Sequence, residues 1–70
     1  MNLTERYDLS VSEWAELIDE WIFNERHRKI LKRRLLDGIC FEPLAEEFGM
    51  SSQQIKTIVY NGMKKLIKHI

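Results

Sequence analysis

Apolar residues recur along this 70-residue chain at helical spacing, and no stretch alternates as a half-buried strand would. Trp14, Leu17, Ile18, Trp21 and Ile22 fall at i, i+3, i+4, i+7 and i+8, with Glu13, Glu16, Asp19 and Glu20 on the other side. Ser10-Val-Ser-Glu13 ahead of them fits a capping box, so the pattern predicts a helix over 11–23. Both Trp residues are expected in the core. Residues 1–10 carry little pattern; Leu3, Tyr7 and Leu9 either cover the domain edge or fray.

Asn24 suits an N-cap and Glu25 the first turn of a second helix, over 25–37. Ile30, Leu31 and Leu35 give its buried stripe, and Gly38 suits the left-handed residue that stops it. Arg26, Arg28, Lys29, Lys32, Arg33 and Arg34 cover much of the remaining circumference. A phosphate or acidic-partner contact and a plain solvated face are equally open there.

The stretch from Cys40 to Leu66 has a different plan: a short helix, a turn at Gly49, and a longer helix opened by Ser51. That is the layout of a helix-turn-helix, spanning about 40–68. Cys40 stands where a cap is normally Ser or Thr, so the short helix is weakly capped. Pro43 is harmless in a first turn, and Leu44, Ala45 and Phe48 face inward. In the last helix Ile55, Ile58, Val59, Gly62 and Leu66 form the inward stripe. Met63, Ile67 and Ile70 make a surplus apolar edge, which either packs on the first helix or joins two subunits as a homodimer.

Composition narrows the class. Seventy residues make one small all-α domain near the size where a single core only just suffices. One cysteine excludes an internal disulfide, and the N-terminus lacks a signal-peptide hydrophobic run. No apolar stretch is long enough for a membrane span, so a reduced cytoplasmic protein with no membrane partner is the expectation. Cys40, His27 and His69 form no ligand cluster, so neither a metal nor another cofactor is expected. Net charge is zero, yet residues 1–25 hold seven acids and one base whereas residues 26–70 hold ten bases and four acids. Such a charge dipole lets a basic side approach phosphate while the acidic side stays away.

Taken together, these pieces resemble region 4, the −35-reading C-terminal domain of bacterial sigma factors. The likeness runs from about Leu17 to Leu66. Residues 24–38, a Glu/Arg-rich helix closing in Leu-Leu-Asp-Gly, look like the family's helix closing in Arg-Tyr-x-Asp-Gly. Leu44-Ala-Glu-Glu-Phe-Gly-Met-Ser51 looks like its Ile-Ala-Glu-Glu-Leu-Gly-Ile-Ser segment. Ile55-Lys56 and Gly62-Met-Lys-Lys-Leu66 look like its Val-Lys and Ala-Leu-Lys-Lys-Leu ending. The resemblance implies a compact four-helix, wingless fold that binds double-stranded DNA and can contact RNA polymerase. Carried over by position, Ser52, Gln53, Gln54 and Thr57 occupy the base-reading face, flanked by Lys56 and Tyr60. Departures are clear too. Primary sigma factors carry Arg and Glu at the places of Ser52 and Gln53, a Gln at Thr57, and an apolar residue at Arg33, so their −35 specificity does not transfer. The regions that bind core polymerase and melt promoters have no counterpart here.

Read for its own chemistry, the face combines Ser51, Ser52, Gln53, Gln54, Lys56, Thr57, Tyr60, Asn61 and Lys64. Gln pairs bidentately with adenine, which makes an adenine-containing major-groove site the expected target. Lys56, Lys64, Lys65 and the Arg-rich helix, including Arg33 and Arg34, would supply phosphate contacts. A unit this small needs a dimer or tethering for useful affinity. The expected function is a sequence-specific DNA-binding transcription regulator. The alternative is an interaction module that docks on RNA polymerase or a sigma factor without reading bases. An enzyme is not expected, because Cys40 has no paired His.

Overall fold

The computed structural model describes residues 9–70, so the expectations for Leu3 and Tyr7 lie outside the described residues. Four helices follow in order: α1 (Val11–Trp21), α2 (Glu25–Leu35), α3 (Phe41–Phe48) and α4 (Ser52–Ile67). Among the described residues there is no strand. Each helix contributes to one core, made by Trp14, Ile18 and Ile22 with Ile30, Leu31, Leu35, Leu44, Ala45, Ile55, Val59, Met63 and Leu66. The all-α, four-helix expectation therefore holds. Met63 corrects one part of it: at 4% exposure it belongs to the core and is unavailable to a partner subunit. Its position four residues after Val59 and three before Leu66 puts it on the inward stripe.

Helix α1 opens with the expected capping box, Glu13 N–H donating to Ser10 Oγ at 3.2 Å and Ser10 N–H to Glu13 Oε1 at 3.1 Å. It closes two residues earlier than the periodicity suggests. Ile22 turns extended at φ −104°, ψ 108°, which keeps its side chain in the core while freeing Asn24 to cap α2. The orphaned carbonyls of α1 need donors. Arg28 supplies them, bonding Ile22 O through Nε and Asp19 O through Nη2 at 2.8 Å. Trp21, half-buried, stacks on His69 with ring centroids 3.5 Å apart and so ties the end of α4 to α1.

Helix α2 also stops short, at Leu35 instead of Asp37, with Gly38 at φ 70° beyond it. Asp37 has left the helix and pairs with Arg33 at 3.1 Å. Cys40 opens α3 with no side-chain capping bond, as its chemistry suggests. At the other end Gly49 takes φ 63°. Met50 N–H then reaches Ala45 O at 2.9 Å and Gly49 N–H reaches Glu46 O at 3.4 Å, a Schellman closure that turns the chain within three residues. Helix α4 crosses α2 at very close range. A Cβ on Gly62 would lie 2.6 Å from Leu31 Cδ1 and 2.9 Å from Cδ2. This contact fixes how deeply α4 sits and which of its faces remains outside.

Candidate nucleic-acid interface

With Ile55, Val59, Gly62, Met63 and Leu66 turned inward, α4 presents Gln53, Thr57, Tyr60, Asn61 and Lys64 on the opposite side, all exposed, with Lys68 just past its end. Helix α4 contains no carboxylate; its only charged residues are Lys56, Lys64 and Lys65. Its solvent face is therefore free of negative charge, and polar or cationic apart from the Tyr60 ring and Ile67 at its end. Ser51 caps α4, and the cap leaves the Ser52 and Gln53 N–H groups at the positive end of the helix dipole without an intrahelical acceptor.

Internal bonds divide the expected reading residues into two sets. Gln54 Oε1 accepts from Ser51 N–H at 2.9 Å while Ser51 Oγ accepts from Gln54 N–H at 3.1 Å, completing a second capping box. The bond occupies one lone pair of the Gln54 amide oxygen and holds the side chain back toward the helix start, so Gln54 is less free than Gln53 to make a bidentate pair with adenine. Gln53 has no such engagement among the described residues. Thr57, exposed, donates its hydroxyl to Gln53 O at 3.0 Å, which engages the hydroxyl within the helix. Ser52 is only half-exposed, turned toward α3 and the shallow pocket it shares with Cys40, Phe41 and Lys56.

The cations on α4 differ in their freedom. Lys56 lies 5.7 Å from the Phe41 ring centroid, and Phe41 meets Tyr60 edge-on at 6.2 Å. Lys65 leans over Phe23 at 4.8 Å, away from the reading face. Lys64 makes no ion pair or ring contact among the described residues and is the cation most available to a phosphate.

The Arg-rich helix α2 gives a different result from the one its composition suggests. Arg33 binds Glu47 through Nη2 at 2.8 Å and Nε at 3.1 Å, and Asp37 through Nη1. Hydrogen bonding to Glu47 first, then to Asp37, holds the Arg33 guanidinium above its ordinary pKa. Arg34 donates to Ile39 O at 3.2 Å and covers the Phe41 ring at 4.6 Å. Arg26 bonds Phe48 O, and Lys32 pairs with Asp19 at 2.7 Å. Arg33 and Arg34 thus latch helix ends and loops together. Of the six bases on α2 only Lys29 has no such engagement among the described residues.

Of two functional consequences, the sequence pattern signals one. Ser51-x-x-Gln54 has the same spacing as Ser10-x-x-Glu13, so the diversion of Gln54 into a cap was signalled locally. The latching arginines were not, because partners such as Arg26 and Phe48 O are 22 residues apart. Among the described residues no cluster of His, Cys, Asp and Glu could hold a metal ion, and no helix is long and apolar enough to cross a membrane. No protein-family model matches the chain, and no curated protein or solved structure matches it.

Proposed function

We propose that α3 and α4 form a wingless helix-turn-helix that presents α4 to the major groove of duplex DNA, as part of a transcription regulator. The observation that carries this reading is the outward face of α4: Gln53, Thr57 and Asn61 in a row, bordered by Lys56 and Lys64, with no carboxylate on the helix. Carboxamides supply paired donors and acceptors for base edges, and lysines supply phosphate contacts that set orientation. The short Schellman-closed turn supports the reading, since it brings α3 against α4 rigidly enough to brace a helix in a groove. Resemblance to sigma region 4 points the same way. With Met63 in the core, a homodimer edge would be limited to Ile67 and Ile70, 39% and 53% exposed.

A second reading, docking on RNA polymerase or a sigma factor without base reading, draws on Phe23. Its ring is 71% exposed beside a groove of about 410 Å³ lined in part by Ile22, Leu31, Ile58 and Gly62. Backbone amide shifts on titration with a mixed-sequence duplex separate the two. The DNA reading expects the largest changes to include Gln53, Tyr60 and Lys64, which lie off that groove, whereas Thr57 and Asn61 border both surfaces. No change at low salt, or changes confined to the groove beside Phe23, would reject it.

A further inference from the structure

In front of the first turns of α4 lies an open depression of about 310 Å³ lined by Met50, Ser51, Gln53, Gln54, Thr57 and Ile58. Met50 and Ile58 are half-buried and packed on the core, so they form a fixed apolar floor. Thr57 borders it. Because the Thr57 hydroxyl donates to Gln53 O, its rotation is restrained and the γ-methyl is the group it offers to a ligand. Gln53 stands one turn before Thr57 on the rim, exposed, whereas Gln54 is held in the capping box.

A recognition surface with one apolar seat and one carboxamide beside it matches a particular feature of DNA. In the major groove thymine alone among the unmodified bases carries a methyl, and adenine alone presents the acceptor–donor pair that a carboxamide fits. We infer that the depression floored by Met50 and Ile58 and edged by Thr57 seats a thymine 5-methyl group, while Gln53 pairs with a nearby adenine. This rests on the proposed major-groove role of α4 and specifies it: base reading falls to Gln53 and Thr57, and Gln54 only shapes the helix start. One helical turn separates the two readers by about 6 Å, so the thymine and adenine lie within about two base-pair steps of each other. RNA, which lacks the methyl, is disfavoured by the same geometry.

The test begins with a duplex enriched by the full chain from a random pool, followed by replacement of each thymine with deoxyuridine, which removes only the methyl. At one thymine the replacement should weaken binding about 4-fold, the worth of one buried methyl. Thr57→Ser should lower that ratio, because the floor of Met50 and Ile58 remains while the edge is lost, and Thr57→Val should preserve it. Gln53→Ala should relax selection at an adenine near that thymine, and Gln54→Ala should leave the selected sequence unchanged. Salt-sensitive binding with no methyl-dependent thymine, or a methyl effect of the same size in Thr57→Ser, overturns the seat and leaves the DNA reading standing. Absence of binding to any duplex at low salt overturns both.

Discussion

Substituting Gly62 by Ala probes the contact that sets the depth of α4. Two effects of opposite sign compete. Ala is the better helix former by about 1 kcal/mol in a helix interior. Against that, its methyl would arrive 2.6 Å from Leu31 Cδ1 and 3.2 Å from Cγ, where Leu31 is fully buried. Carbon atoms rest at about 3.5–4.0 Å, so relief requires close to an ångström of movement by a side chain that is enclosed on all sides. Overpacking of this kind costs about 1–3 kcal/mol. The clash should win by about 1 kcal/mol, lowering the melting temperature by about 4–8 °C for a domain of this size. A double-mutant cycle sharpens the argument. Leu31→Ala alone should cost about 2–5 kcal/mol through the cavity it leaves. In that background Gly62→Ala has room and fills part of the void, so it should stabilise by about 1 kcal/mol. Urea denaturation of the four proteins, followed by tryptophan fluorescence, measures the cycle. If Gly62→Ala stabilises equally with Leu31 present and absent, the close approach of α2 and α4 is wrong, and so is the face assigned to the outside.

Other outcomes follow from the helix ends. Ser51→Ala should cost about 1 kcal/mol of stability, and Gln54→Ala should cost less once Ser51 is already replaced, because each supports the same capping box. Cys40→Thr places a capping hydroxyl where α3 lacks a side-chain cap and should raise stability by about 0.5–1 kcal/mol, read as a shift in the urea midpoint. Arg28→Met removes the donor to Ile22 O and Asp19 O and should cost about 2 kcal/mol, whereas Lys29→Met should be close to neutral in the same denaturation assay.

Much of the fold is legible locally. The stripes from Trp14 to Ile22 and from Ile55 to Leu66, the caps at Ser10, Asn24 and Ser51, and the positive-φ glycines at 38 and 49 are all present in the structure. These features depend on residues within one or two turns of each other, where spacing alone decides the outcome. Helix ends were less legible because tertiary demand sets them. Ile22 leaves α1 in extended backbone with its side chain in the core, and α2 closes early as Asp37 N–H reaches Lys32 O and Ile39 N–H reaches Arg33 O around Gly38. The roles of the α2 cations were hidden for the same reason: Glu47 and the Phe48 carbonyl come within reach of α2 only after α3 packs. The candidate site was legible as a helix face. Its internal division was signalled only by the Ser51-x-x-Gln54 spacing, since whether Gln53 or Gln54 remains available depends on one hydrogen bond at the start of α4.

The central claim, that the carboxylate-free outer face of α4 engages duplex DNA, is tested most directly by the salt dependence of duplex binding in the wild-type chain and in Lys64→Ala. Fluorescence anisotropy with a labelled duplex, over a series of salt concentrations, gives the slope of log K against log salt. The wild-type slope should be negative, and loss of one phosphate contact should make it shallower by about 0.9. Lys32→Ala, which removes a side chain paired with Asp19, should leave it unchanged. Equal slopes for wild type and Lys64→Ala, or a wild-type chain that binds no duplex at low salt, would contradict the account.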